Sequence, residues 1–195
     1  MLAIKNTDLI SVKDYLKGEL TSDIKHELID GCVYAMAGAS ANHERISVNI
    51  LSEFRNHLKN SPCEPFGSDM KLRINANFFY PDVMVDCLFD NSTPYFTQTP
   101  IIIVEVLSKS TRKKDTTLKL LSYINIPSLK EYVLIEQNFV DIEVLRRSEG
   151  WLPKHYFLGD EITFESIDLT LSVEEIYHRV QNDDMEEFLT NKAEQ

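Results

Sequence analysis

The chain has 195 residues, 43% of them hydrophobic and 26% charged, with 6 glycines and 7 prolines. This composition suits a globular protein with one sizeable core and excludes collagen-like, low-complexity and mostly disordered chains. Its 20 basic and 31 acidic residues give a net charge of −11, which argues against a general nucleic-acid coat protein.

No Pro/Gly/Ser-rich stretch divides the sequence, so a single domain is expected over residues 1–182, followed by an acidic tail, 183–195, expected to fray. The opening residues lack the apolar core of a secretory signal. The longest apolar run, residues 101–104, is cut at once by Glu105. It is far short of the about 20 residues of a membrane span. The three cysteines, Cys32, Cys63 and Cys87, are scattered and odd in number. They read as buried thiols in a reducing, cytoplasmic setting.

Ser11 is a suitable N-cap for a short helix. Residues 26–29 and 32–36 flank Asp30-Gly31, the pair favoured by a type I′ hairpin turn. Ile46, Ile50, Leu51, Phe54 and Leu58 recur at helical spacing and predict a helix over residues 42–59 with one buried face. Extended runs follow at 63–74, 82–89 and 100–107, the last too uniformly apolar for anything but a central strand covered on both faces. Ser110-Thr111 leads into a helix over 114–124 that stops before Pro127. A hairpin is expected from 131–135 and 140–146 around Gln137-Asn138, then short strands near 155–158 and 162–164. Ser172 and Glu175 form a capping box opening a helix over 173–180. The order predicts a mixed α/β domain.

Two acids stand among neighbours that make them costly. Asp82 follows Tyr80-Pro81 and opens an apolar strand, and Glu105 sits inside the most apolar segment of the chain. A carboxylate on a covered strand must be paired, hydrogen-bonded or bound to a cation, or else it protonates. If the two strands are neighbours, both carboxylates can meet one divalent ion, and Mg²⁺ favours one or two carboxylates with water or phosphate oxygen. A lysine two residues beyond Glu105 would share its face, but that position is Leu107. The nearest substitute is Lys119 on the following helix, spaced i, i+4 from Asp115. From there it could orient or deprotonate a water, or stabilise charge on phosphate. Lys109, Arg112, Lys113 and Lys114 crowd together after Glu105 as a candidate phosphate-holding patch, with Lys71 and Arg73 as a second. The plainer readings are a strand-start cap for Asp82, an exposed helix ion pair for Asp115 and Lys119, and a solvated loop for the basic run. His43-Glu44 begins a zinc-protease pattern, but Ser47 stands where its second histidine belongs.

The strings Glu27-Leu-Ile-Asp-Gly31, Ser40-Ala-Asn-His43, Gly67-Ser-Asp-Met70, Tyr80-Pro-Asp-Val83, Val104-Glu-Val-Leu-Ser108 and Ser110-Thr-Arg112 occur in order. Asp115, Lys119, Tyr123 and Glu131-Tyr-Val-Leu134 follow. Together they resemble the Uma-type putative restriction endonucleases of the PD-(D/E)XK nuclease superfamily, with the lysine moved onto the next helix. The resemblance implies a restriction-endonuclease-like core, a central mixed sheet flanked by helices with N-terminal and C-terminal β-hairpins. It implies Asp82 and Glu105 as metal ligands, Lys119 as the displaced catalytic lysine, and Glu27 and His43 as supporting groups at the mouth of the site. Asp86 departs from the apolar run expected after Tyr-Pro-Asp: it either ends the strand or adds a third acid beside Asp82. The activity implied is Mg²⁺- or Mn²⁺-dependent cleavage of DNA, without a membrane role. A homodimer would suit a duplex with two strands to cut. The alternatives are a nuclease-fold module that binds nucleic acid without turnover, and a hydrolase of small phosphoesters.

Overall fold

Eight consecutive residues with almost no polar break can be satisfied only between two covered faces, and residues 100–107 form the strand on which the protein is built. The computed structural model describes residues 9–109 and 112–194. The opening residues 1–8 and the expected helix lead-in Ser110-Thr111 lie outside them. In chain order the elements are α1 (Val12–Glu19), β1 (His26–Ile29), β2 (Cys32–Ala35), α2 (Ala41–His57), β3 (Glu64–Gly67), β4 (Lys71–Ile74), β5 (Asn77–Phe79), β6 (Val83–Asp86), β7 (Phe96–Thr97) and β8 (Pro100–Leu107). There follow α3 (Arg112–Lys114), a π-helical turn (Asp115–Lys119), α4 (Leu120–Tyr123), β9 (Glu131–Glu136), β10 (Ile142–Arg146), β11 (Pro153–Tyr156), β12 (Glu161–Phe164), β13 (Leu169–Ser172), α5 (Val173–Ile176) and α6 (Asp183–Ala193).

The central sheet is mixed, as expected, with strand order β11-β10-β9-β8-β6-β3. Strand β8 runs parallel to β9 and antiparallel to β6. Alternation along β8 sends Ile102, Val104 and Val106 to one core, where they meet Ile46, Ile50 and Phe54 of α2. Each apolar side chain of that size contributes about 1.5–3 kcal/mol on burial. Ile103 and Leu107 face the opposite core with Leu72, Phe79, Tyr123 and Tyr132, and Glu105 shares their side by the same alternation.

A second sheet, ordered β2-β1-β5-β4-β7, covers that side. Its Leu28 and Phe78 pack on Tyr15 of α1, while Ile29, Leu72 and Phe79 turn inward. The β1–β2 turn has positive φ at Asp30 (50°) and Gly31 (77°), as the type I′ geometry demands. The run at 63–74 is therefore not one strand: it breaks at a turn where Met70 N–H donates to Gly67 O (3.1 Å), and its halves join different sheets.

Asp86 ends β6. It is buried and accepts hydrogen bonds from the Thr97 and Thr99 hydroxyls and from Leu88 N–H (2.7 Å), so it closes the strand and does not join Asp82 as a third acid. The expectation of unpaired thiols is corrected. Strands β3 and β6 align Glu64 with Asp86, which makes Cys63 and Cys87 the next cross-strand pair, and the two form a disulfide. Cys32 is exposed. The pairing removes the cysteine-based reason for a reducing compartment. Among the described residues no helix is long and apolar enough to cross a membrane.

Toward the C-terminus, β12 pairs with β13, a strand the sequence reading did not separate, and the Ser172–Glu175 capping box is present. The helix it opens ends at Ile176, short of the expected residue 180, and Arg179 takes a positive φ of 64°. The acidic tail is helical in place of the expected fraying. The Asn182 side chain caps α6 by accepting from Met185 N–H, acids fill the positive first turn, and Met185 is buried in the core below α2. Asp184 also accepts from Val140 N–H (2.6 Å), fastening the helix to the turn before β10. Met185→Ala is expected to lower stability by about 2–3 kcal/mol in urea unfolding; a detached tail would leave the midpoint unchanged.

Candidate active site

Strands β6 and β8 align Val83 with Val104. One step outward, Asp82 stands opposite Glu105, and alternation turns both side chains to the face covered by the second sheet. Asp82 Oδ2 accepts from Val106 N–H (2.7 Å), so the acid is pinned to the backbone of its neighbouring strand. Glu105 Oε1 accepts from Lys119 Nζ (2.9 Å) and from the Tyr123 hydroxyl (2.9 Å). The two acids that the sequence singled out thus share one face of one sheet.

Lys119 is delivered by the π-helical turn, where Leu120 N–H reaches back to Asp115 O. The wider turn carries both Asp115 and Lys119 into the interior. An ordinary helix surface would have left them as a solvent-facing pair. Lys119 Nζ is 3.0 Å from Asp115 Oδ1 and 3.5 Å from Glu27 Oε1. Glu27 lies two residues before Ile29 on β1 and so projects to the same interior, where Lys114 also pairs with it. His43 enters from α2: Ser40 Oγ accepts from His43 N–H (3.2 Å), and the imidazole Nε2 lies 3.2 Å from Asp82 Oδ2. The Asp82 and His43 side chains are 12% and 15% exposed and mark the open side of the cluster.

Four carboxyl groups (Glu27, Asp82, Glu105, Asp115) meet two ammonium groups (Lys114, Lys119), an excess of two acids over basic groups when His43 is neutral. Burial pushes the Glu105 carboxyl well above its usual pKa, and Asp115 and Asp82 add to this against the opposing Lys119. Burial works against the Lys119 ammonium, but Glu105, Tyr123, Glu27 and Asp115 outweigh it and hold its pKa well above the lysine norm. Burial likewise opposes protonation of His43, yet its contact with Asp82, then Glu44 and Asp115, raise it. Glu27 moves the other way: Lys119 and Lys114 outweigh its burial and lower its pKa. Glu27 Oε1 and His43 Nδ1 are buried without a hydrogen-bond partner among the described residues.

Among the described residues no set of three or more His, Cys, Asp or Glu side chains is arranged to hold a metal by itself. Asp82 and Glu105 offer two hard oxygen donors in a cluster short of positive charge. That combination fits a small divalent ion that keeps several waters, and it does not fit a zinc cage.

Apart from Lys114, the other expected residues fall outside this cluster. Arg112 pairs with Glu136 and lies 5.9 Å from the Phe139 ring centre. Lys109 and Lys113 are exposed. Lys71 is buried with its ammonium 5.2 Å from the Tyr80 ring centre, and Arg73 lies over Phe78 (5.7 Å) and Phe96 (5.4 Å). Lys114 belongs inside the cluster, against Glu27, and not on a phosphate-facing surface. Tyr123, which sequence reasoning gave no role, is the second donor to Glu105; its spacing of four from Lys119 was the available signal.

The family model described as "Putative restriction endonuclease", Uma2, matches residues 12–174. The chain belongs to the Uma2 family. It is 37% identical over 173 residues to an uncharacterized Synechocystis protein, slr1290, covering 86% of this chain and 91% of that one. A second Synechocystis protein, sll1609, is 36% identical over 142 residues, covering 70% of this chain and 80% of its own. The fold matches a crystal structure titled as a putative nuclease of DUF820 from Anabaena variabilis, with a TM-score of 0.74, 16% identity, and coverage of 88% of this chain and 99% of that one. The Uma2 chain therefore carries the mixed-sheet, helix-flanked architecture of a nuclease-like fold.

Lys119→Met strips Glu105, Asp115 and Glu27 of their shared cation, and a loss of about 3–5 kcal/mol is expected near neutral pH. The variant's Glu105 would hold its proton still more tightly than in the wild type. A carboxyl whose folded pKa lies above its unfolded value of 4.5 loses stability as pH rises from that value through the folded one. The deficit against wild type should therefore shrink as pH falls from neutral toward the unfolded value in urea unfolding; a constant deficit would contradict the assignment.

Proposed function

We propose that the chain is a Mg²⁺- or Mn²⁺-dependent endonuclease that hydrolyses phosphodiester bonds of DNA. The observation that carries this reading is the placement of Asp82 opposite Glu105 on one sheet face, with Lys119 bonded to Glu105 (2.9 Å), in a member of the Uma2 family. Asp82 and Glu105 would hold the ion. A bound divalent cation supplies charge neutralisation at phosphate and lowers the pKa of water.

The chain's own groups divide the remaining work. The acids around Lys119 raise its pKa and favour its ammonium form, which fixes Glu105 and adds positive charge to the pocket. His43, beside Asp82 and partly open to solvent, is the group able to exchange a proton at the mouth. Within the basic run, exposed Lys109 and Lys113 are the side chains available to phosphates at the surface. Cutting both strands of a duplex would suit a homodimer.

Plasmid cleavage in Mg²⁺ or Mn²⁺ tests the reading. Asp82→Ala and Glu105→Gln should each lower the rate by about a hundred-fold or more, the scale of losing a few kcal/mol of transition-state stabilisation. Equal cleavage by wild type and Asp82→Ala would identify a contaminant. In DNA binding, replacing Lys109 and Lys113 together by alanine should reduce the slope of log K against log salt by about 2; an unchanged slope would remove them from the interface.

One observation favours a second reading. Arg112 is paired with Glu136 and Lys114 with Glu27, so half of the basic run is already neutralised within the protein. A module that binds nucleic acid without cutting it would show DNA affinity unaffected by chelator and no cleavage in either metal. A small-phosphoester hydrolase would turn over a chromogenic diester at a rate indifferent to added DNA.

A further inference from the structure

Glu105 is the one proposed ligand that sits wholly inside the protein, and its carboxylate is not free to choose which oxygen it presents. The last torsion of a glutamate is soft and nearly two-fold. With a single donor, the group could swing either oxygen toward an ion. Here both donors converge on Oε1: Lys119 Nζ at 2.9 Å and the Tyr123 hydroxyl at 2.9 Å. Two donors occupy the two lone pairs of that oxygen, which leaves Oε2 for a metal.

The phenol is held as firmly as the carboxylate. Tyr123 is fully buried. Its ring lies edge-to-face against Phe79 of β5 (5.5 Å between centres, 88°) and against Tyr132 of β9 (5.3 Å, 89°). One contact comes from each large sheet, so the hydroxyl position is fixed by the packing of the two layers. Lys119 has two other acids to serve, at 3.0 and 3.5 Å; for Tyr123 the structure gives Glu105 as its acceptor.

We infer that Tyr123 is a positioning residue that locks Glu105 with Oε1 occupied and Oε2 directed to the divalent ion, an inference that rests on the metal-site reading above. It touches neither substrate nor ion.

Calorimetric titration of the full-length chain with Mn²⁺ tests it. Tyr123→Phe keeps the ring and removes only the donor. Its Mn²⁺ dissociation constant should rise about ten-fold, the usual scale for losing a hydrogen bond that orients a ligand. The ion-free melting temperature should stay within about 5 °C of wild type. Raising Mn²⁺ should restore its cleavage rate. Tyr132→Phe is the control: it loses an equally buried hydroxyl, bonded to Asp115 O (3.1 Å) and not to Glu105. Its Mn²⁺ affinity should stay within about two-fold of wild type.

Wild-type affinity in Tyr123→Phe, or an equal loss in both variants, would overturn the assignment and leave the metal site standing. A wild-type chain that binds no Mn²⁺ would overturn both. Should Tyr123→Phe not fold, saturating wild type with Mg²⁺ must give a tyrosine ultraviolet difference spectrum that Tyr132→Phe retains; a flat spectrum overturns the proposal.

Discussion

A single ammonium group buried among carboxylates organises this molecule. Lys119 sits within 3.5 Å of Glu105, Asp115 and Glu27, which come from β8, the π-helical turn and β1. Those elements belong to the central sheet, the connection between β8 and β9, and the second sheet. The lysine therefore joins three layers of the fold at one point. Moving a charge of this kind out of water costs several kcal/mol, and a well-packed apolar replacement is often as stable or more so. Such a cluster is a poor device for stability alone. Its excess of acids over ammonium groups is what the proposed divalent ion would offset.

The layers supply the site in complementary ways. The central sheet fixes the spacing of Asp82 and Glu105 through its register, which no side-chain motion can alter without breaking strand pairing. The second sheet closes the space above them with Phe79 and Leu72, lowering the local dielectric so that every charge there counts for more. The helical segment between β8 and β9 supplies the donors. Helix α2 brings an imidazole to the remaining open side.

Much of this was legible in the chain. Residues 100–107 could be nothing but a covered strand, Asp30-Gly31 announced its turn, and Ile46, Ile50 and Phe54 declared their helix. Glu105 was conspicuous because an acid among isoleucines and valines needs a reason. What escaped notice depended on distant partners or on geometry that periodicity does not encode. The i, i+4 spacing puts Lys119 on one helix face with Asp115, but a π-helical turn leaves no apolar repeat, so the sequence carries no sign of its burial. The basic run looked like a phosphate grip because its partners, Glu27 and Glu136, are remote in sequence. The Cys63–Cys87 link required knowing the register of β3 against β6. The tail read as solvated charge because its acids outnumber the apolar positions of Met185, Phe188 and Leu189.

The cap of helix α2 has a wider effect than ending a helix neatly. Ser40 Oγ, while receiving the His43 amide, also donates to Gln137 Oε1, and Gln137 Nε2 donates to the Leu107 carbonyl (2.9 Å). The start of α2 is thereby tethered through one glutamine to the far end of β8. Polar bonds and apolar packing hold these two elements together at separate places. Loosening the hydrophobic contacts beneath Ile46 and Ile50 would let the body of the helix shift while its first turn stayed moored, so the imidazole and the glutamate would keep their relative places.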